Sequence, residues 1–491
     1  MKARFDDPAS EQRSTKSVLM IAYGFPPQGH AGVYRPLRFV RHLPALGWKP
    51  TVVSASGMEF ERYDPELLSQ VPADVEVIRP VDPGDSWQAF QRWRAGRAPA
   101  QTSVSAGTPV TLPQPSDRNV QGRLRGMARE AVRLAESCWY HPDFRRNWIA
   151  PAADAAVQVC RSQRSDVIWA SGPPWSSFFV AENTSRRTGV PYVLDFRTSW
   201  TIVPSPFEAT RPEWAQRRDR RALRRLLAGA RAAVFFYAAE AECFWRMYEQ
   251  SLDPSRIHVI PNGFDGPVAD FVEPPRDTFT LLYTGVLADY RYDTFVDALA
   301  MFKEANPTAW RRLKVKFVGE QEPGFLERVN ALGLRDAVTT HPPMPHSQMP
   351  ALQRDAHALL MLERRPSHKG YELLAGAKLF NYLKAARPIM GVVPEGEAAR
   401  VLRDVGVSTI ANADAPEAIC EVLQRLFDGW ASGRLSSFVP DRTLCEDYSA
   451  EHQTEALARA LTGMPPLRPF VPGAVDIVPS LRADFSAARW T

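Results

Sequence analysis

The stretch from Gly370 to Val393, GYELLAGAKLFNYLKAARPIMGVV, holds the residues whose types and spacing are richest in chemistry. It reads as a turn, a short amphipathic helix with Lys378 near its start and Asn381 one turn later, and then a buried strand. A lysine ammonium beside the positive end of a helix suits a pyrophosphate. Asn381, with Glu372 ahead of the helix, offers hydrogen bonds to a ribose or sugar hydroxyl. An ordinary surface face fits the same residues. Upstream, Tyr283-Thr284-Gly285 opens a loop leading to Asp289, Tyr290 and Arg291, and Phe317-Val318-Gly319-Glu320 opens another at the next strand end. Arg291 there suits a departing diphosphate, and Gly319 permits close backbone approach. A solvated surface is again the alternative for each.

In the first half of the chain, PYVLDFRTSW sets Asp195 and Arg197 at or just past the end of an apolar strand, where open α/β sheets bind ligands. Strand alternation puts both on one side. An acid and a base so placed orient an acceptor hydroxyl and a leaving group, or else form a structural ion pair. The stretch ASGPPW (Ala170 to Trp175) ends another strand and either shapes the same site or is a rigid turn. The loop Phe25 to Gly32 joins a strand to a helix, and Gly29 and Gly32 either let amides approach a ligand or form a turn. Their spacing is not that of the dinucleotide pattern. Arg35 serves a phosphate or caps a surface.

Positioning these residues requires strand, loop and helix units. Apolar runs at Ser17–Ala22, Pro50–Ala55, Asp166–Ala170, Pro191–Phe196, Ala232–Tyr237 and Ile257–Ile260 alternate with helical segments, the first around Arg38–Leu46. A second series follows at Phe279–Thr284, Lys314–Val318, Ala358–Leu362 and Pro388–Val393. The pattern predicts an α/β protein with two Rossmann-like, doubly wound parallel-sheet domains. The expected organisation is an N-terminal domain over 1–268, a linker at Gly266–Thr278, a C-terminal domain over 278–445, a helix over 446–463 (from Ser449) that returns to the first domain, and a tail over 464–491. Within the first domain, residues 84–120 are poor in apolar side chains and read as a flexible insertion. No purpose is legible in the tail.

With 491 residues and 45% hydrophobic content, the chain is long enough for two packed domains. Its five cysteines lack paired spacing, so neither a disulfide framework nor a zinc ribbon is indicated, and a reducing compartment fits. The first apolar run, Ser17 to Phe25, is too short for a signal peptide or a membrane span. Net charge is +5, but arginines gather in Gln216 to Arg231, QRRDRRALRRLLAGAR, as one basic helix face. That face is either simply solvated, on a helix whose leucines enter the core, or a patch for anionic lipid headgroups or pyrophosphates.

In their order, the segments YGFPPQGHAGVYRPLRFVRHL, PDFRRNWIAPA, DVIWASGPPWSS, PYVLDFRTSW, IHVIPNGFD, LLYTGVLADYR and KLFNYLKAARPIMGVVPEG resemble the glycosyltransferase family 4 group, especially its bacterial members that build surface polysaccharides and O-antigens. The resemblance implies the GT-B fold, with the domains facing a cleft. It further implies an NDP-sugar donor held by the C-terminal domain, a saccharide or lipid-linked saccharide acceptor at the N-terminal one, and retaining transfer. No metal and no separate cofactor are implied, in keeping with the lack of an Asp-x-Asp motif, and nucleic acid is not an expected partner. Gly29 and Gly32 would line the diphosphate, with Arg291 and Lys378 holding its charge. Asn381 would take the ribose place, Gly285, Gly319, Glu320 and Glu372 would complete the donor site, and Asp195 and Arg197 would lie at the reaction centre. A cytoplasmic protein is expected from the cysteines and the lack of a span, with the Gln216 to Arg231 helix as a peripheral docking surface on the inner membrane. The family's Glu-x7-Glu pair is absent, since Leu373 and Asn381 occupy its positions, and Thr198 stands where relatives usually carry an aspartate. A GT-B epimerase and a non-catalytic GT-B subunit are the alternatives.

Overall fold

The computed structural model describes residues 15–56, 63–84, 134, 137, 139–202, 211–288, 290–363 and 370–482. The chain divides into two compact units. The N-terminal unit comprises Met1–Phe235, Tyr248–Val259 and Thr454–Val471, and the C-terminal unit Phe236–Met247, Ile260–Gln453 and Pro472–Thr491. The expected insertion at 84–120 lies outside the described residues beyond Gly84.

The N-terminal sheet holds β1 (Lys16–Ala22), β2 (Trp48–Val53), β3 (Glu76–Ile78), β4 (Val167–Gly172), β5 (Tyr192–Phe196), β6 (Ala232–Phe235) and β7 (Ile257–Val259). Its order is β3-β2-β1-β4-β5-β6-β7, and the pairs are parallel. The central strands β1 and β4 are buried nearly end to end, which is why their sequences are continuous apolar runs rather than alternating ones. Helices α1 (Tyr34–His42), α2 (Ile149–Gln163), α3 (Ser176–Thr188) and α4 (Glu213–Gly229) follow in chain order. Helix α4 buries Leu223, Leu226 and Leu227 and leaves Arg217, Arg221, Arg224 and Arg225 exposed, as its periodicity requires.

After α5 (Ala238–Tyr248), the C-terminal sheet holds β8 (Phe279–Thr284), β9 (Leu313–Val318), β10 (Val338–His341), β11 (Ala358–Leu362), β12 (Ile389–Val392) and β13 (Ile410–Ala411). Its order is β10-β9-β8-β11-β12-β13, again parallel. Leu281 and Tyr283 enter one core layer with Phe317 and Trp430, while Leu282 enters the other with Phe380 and Tyr382. The sheet is thus covered on both faces by α6 (Asp293–Ala305), α7 (Ala377–Lys384), α8 (Pro416–Ala431) and their neighbours. Both sheets reverse their winding at one place, between β1 and β4 and between β8 and β11. Ligands of open α/β sheets bind beyond the carboxyl ends of the strands at such switch points.

Three strands lie beyond the expected series. β3, β10 and β13 are sheet-edge strands of two to four residues, too short and too exposed to need an apolar run. The helix expected around Arg38–Leu46 instead starts at Tyr34 and ends at His42, with a 3-10 turn over Leu43–Leu46. Pro44, which lacks an N–H, stands at that change. The terminal helix α9 spans Ala450–Thr462. Beyond it the chain is not featureless, because Ile477, Val478 and Leu481 are buried and Pro479–Leu481 forms a 3-10 turn. The four described cysteines are unpaired. Among the described residues no helix is long and apolar enough to cross a membrane.

Candidate active site

In the N-terminal unit the last residues of β5 bring Asp195 to the carboxyl end of the sheet, with no solvent exposure. Its carboxylate accepts hydrogen bonds from Arg35 Nη2 at 2.7 Å, from Arg35 Nε at 3.1 Å and from Ser171 Oγ at 2.8 Å. Arg35 projects from α1, is 3% exposed and lies 4.9 Å from the Phe39 ring centroid. It is therefore neither a surface cap nor an uncommitted phosphate ligand, contrary to both sequence readings, because burial commits its charge to Asp195. Arg197 follows the strand. Its backbone N–H donates to Gly172 O at 2.9 Å and its guanidinium donates to Pro173 O, which ties it to the proline turn after β4.

The β1–α1 loop meets this arginine. A Cβ at Gly32 would stand 2.0 Å from Arg197 Nη1, so any side chain there would have to displace the guanidinium. His30 Nδ1 accepts the Gly32 N–H at 3.1 Å, and Gly29 is half-buried in the same loop. Burial, with repulsion from Arg35, pulls the Arg197 guanidinium down to about 10, while the Asp195 carboxylate pushes the other way. The group stays cationic at neutral pH. Gly32, Arg35, Asp195 and Arg197 thus form one cluster, with Asp195 as its buried anchor.

In the C-terminal unit the site begins where β8 and β9 end. Gly285 has φ +122° and Gly319 φ +141°, and a Cβ on Gly319 would lie 2.1 Å from Gly285 O. The two loops touch backbone to backbone, which excludes any side chain at Gly319. Lys378 enters here from the first turn of α7. Its ammonium lies 3.9 Å and 4.0 Å from the ring centroids of Tyr283 and Tyr290 and donates to the Tyr283 hydroxyl. The two ring faces attract the cation and fix where its charge sits. Gly376 caps α7 and, having no side chain, makes no capping hydrogen bond of its own to the first amides of that helix. Tyr382, one turn beyond Lys378, accepts from the Thr284 N–H at 3.0 Å and locks α7 to the end of β8. Burial pushes its hydroxyl up to about 12.

The remaining expected residues divide. Asn381 is half-buried and takes no hydrogen bond among the described residues. Glu372 is 6% exposed in the 3-10 turn Tyr371–Leu373 and accepts from Ser480 Oγ at 2.6 Å. Glu320 contributes its carbonyl, which accepts from Leu287 N at 2.9 Å, while its side chain is exposed. Arg291 pairs with the Asp414 carboxylate and its N–H donates to Glu363 O at 3.0 Å. It is thus anchored at its backbone by Glu363 and at its guanidinium by Asp414, whose side chain is 63% exposed. Asp289 lies outside the described residues. Sequence reasoning overlooked Tyr283 and Tyr290 as the rings around Lys378. It also passed over Glu363, 4% exposed directly after β11, whose position at a strand end was the available signal.

Residues 32–263 match the family described as glycosyl transferase 4-like domain. No curated protein matches the sequence significantly. Among solved structures the chain is similar to sucrose-phosphate synthase from Thermosynechococcus elongatus, at 15% identity over 91% of this chain and 97% of that one, with a TM-score of 0.50. An α,α-trehalose-phosphate synthase (UDP-forming) from Burkholderia xenovorans matches at 14% identity over 91% and 100%, with a TM-score of 0.51. An E. coli protein bound with UDP-2-fluoro glucose matches at 11% identity over 92% and 100%, with a TM-score of 0.52. At such identities the likeness is one of fold. Two parallel-sheet Rossmann-like units with these neighbours give the chain a GT-B fold, and its residues 32–263 match the glycosyl transferase 4-like domain family.

Proposed function

We propose that this protein is a retaining, metal-independent glycosyltransferase that moves a sugar from an NDP-sugar to a saccharide acceptor, lipid-linked, in surface polysaccharide assembly. The observation that carries the donor half is Lys378, held over Tyr283 and Tyr290 beside the uncapped start of α7 at the β8/β11 switch point. As the glycosidic bond breaks, negative charge grows on the departing diphosphate, and a fixed ammonium with helix amides stabilises that charge without reorganising. Gly285 and Gly319 leave room for backbone approach to the phosphates, with Arg291 anchoring the end of the Gly285 loop and Glu320 its neighbour. Asn381 takes the ribose and Glu372 the sugar hydroxyls.

In the N-terminal unit, Asp195 fixes Arg35 and sets Arg197 beside Gly32, and this cluster with Gly29 serves the reaction centre. The acceptor hydroxyl attacks from the face that the diphosphate leaves. The exposed arginines of α4 fit an anionic membrane surface, where a lipid-linked acceptor resides.

Calorimetry of the full chain against UDP, GDP, ADP and dTDP and their common sugars, first without metal and then with magnesium, tests this. One nucleotide should bind without metal. Lys378→Ala should weaken that binding about tenfold to a hundredfold, as loss of a charge-assisted contact does. Absence of binding to every nucleotide would contradict the proposal and favour a non-catalytic GT-B subunit.

A further inference from the structure

Beyond α9 the chain crosses the C-terminal unit and is fastened there at two points. At the first, the Gly473 N–H donates to Glu242 Oε2 at 2.9 Å, and Glu242, on α5, is fully buried with its other oxygen on Arg246. At the second, Ser480 Oγ accepts the Gly370 N–H at 2.7 Å and donates to Glu372 Oε2 at 2.6 Å. Between these points Ile477 and Val478 are buried, and Leu481 follows at 2% exposure. A single hydroxyl therefore bridges the backbone at the start of the Gly370 turn and the carboxylate two residues on. Gly370 has φ +76° and heads the 3-10 turn that carries Glu372, so the bond closes that turn from outside.

Glu372 is nearly buried, and a buried carboxylate adopts whatever orientation its donors impose. Ser480 is the donor it has, and with Oε2 so occupied Oε1 takes no hydrogen bond among the described residues. Packing sets the other side of the turn, since a Cβ at Gly396 would stand 2.8 Å from Glu372 Cβ and 2.6 Å from Glu372 O. The carboxylate is confined between the β12-side loop and the C-terminal segment, with one acceptor oxygen uncommitted.

We propose that residues Pro472–Leu481 form a clasp on the donor turn, and that Ser480 is a positioning residue that aims Glu372 at hydroxyls of the donor sugar. This rests on the reading of the C-terminal unit as the NDP-sugar site. It gives the C-terminal segment a role in sugar recognition, distinct from the diphosphate contact of Lys378. A buried acceptor held in one orientation rejects a sugar that lacks the matching hydroxyl more strongly than a mobile one does.

Two measurements on the full chain test it, using Ser480→Ala and the hydroxyl-keeping Ser480→Thr. Hydrogen exchange needs no ligand. Ser480→Ala should speed exchange at Gly370 and through residues 370–376 about tenfold, the loss of roughly one hydrogen bond's protection, with β8 unchanged and Ser480→Thr near wild type. Unchanged exchange at 370–376 overturns the clasp. Calorimetry with the sugar nucleotide and free diphosphate found in the nucleotide panel then reads the positioning role. The sugar nucleotide should bind Ser480→Ala about tenfold more weakly while the diphosphate binds equally well, and Ser480→Thr should restore the difference. Equal weakening of both ligands, or of neither, overturns the assignment. If the wild type binds no nucleotide, the donor-site reading fails and this role with it, and the exchange result tells that failure apart from a missing clasp.

Discussion

Asp195 holds its hydrogen bonds from Arg35 and Ser171 with no exposure to solvent, which makes it the member of the N-terminal cluster whose loss is most damaging to folding. Asp195→Asn would leave Arg35 buried without a counter-charge, at about 3–5 kcal/mol in urea unfolding. Arg35→Met with Asp195→Leu should cost less than that single change, since the Arg35 charge is then removed together with its partner. Equal stability of Asp195→Asn and wild type would show that the pair carries no structural load. His258, 2% exposed on β7, supplies a pH test. Burial, with a smaller push from Arg459, lowers its imidazole from 6.5 to about 4, so the folded protein keeps it neutral while the unfolded chain protonates it below pH 6.5. Stability held above pH 6.5 is therefore lost as pH falls toward 4, by about 3 kcal/mol from this one group. His258→Leu should gain that much on the wild type between pH 7 and pH 4.5, and an unchanged difference would show that His258 titrates normally. Lys378 and Asn381 were legible because a short helical period places them together. The Arg35–Asp195 pair was not, because 160 residues separate its members and no local spacing reports a contact of that range. Ser480 lies 108 residues from Glu372 and was hidden for the same reason.

At the scale of elements, the strand ends do most of the positioning. The contact between the Gly285 and Gly319 loops depends on the absence of a Cβ at 319. Gly319→Ala adds one 2.1 Å from Gly285 O at a backbone angle that alanine resists, and should destabilise the protein by about 2–4 kcal/mol and abolish nucleotide binding. A variant that melts and binds as the wild type does would show that the two loops part easily. Helix α4 presents Arg217, Arg221, Arg224 and Arg225 on one face, with Trp214 42% exposed at its start. Vesicles containing phosphatidylglycerol should pellet the protein at low salt, less so as salt rises, and much less after Arg221→Glu with Arg224→Glu. Equal pelleting of that variant would remove α4 from any membrane role. The period of α4 was readable because its leucines recur every three to four residues. The buried strands were readable because coverage on both faces demands unbroken apolar runs. The edge strands β3, β10 and β13 escaped notice because little of them is buried, and burial is what leaves a pattern.

At the scale of the whole molecule, the six-strand order of the C-terminal sheet repeats that of the first six strands of the seven-stranded N-terminal sheet, and in each unit the residues with chemical potential gather at the carboxyl ends of central strands. Alternating strand and helix signals were enough to anticipate two doubly wound sheets, because that pattern has few compact solutions. The path of residues 472–481 could not be anticipated, since an irregular segment carries no period and its anchors are distant hydrogen bonds. Calorimetry reads whether a nucleotide binds, and turnover reads whether its sugar is then transferred. The direct measurement is release of nucleoside diphosphate from the bound sugar nucleotide, with bacterial membrane extract as acceptor source and the labelled product followed into the lipid fraction. Wild-type protein should release the diphosphate and label the lipid fraction in equal amounts without added metal, and Lys378→Ala should do so at least about a hundredfold more slowly, as loss of charge stabilisation in the transition state implies. Equal rates for the two proteins, or diphosphate released with no sugar transferred, would contradict the account.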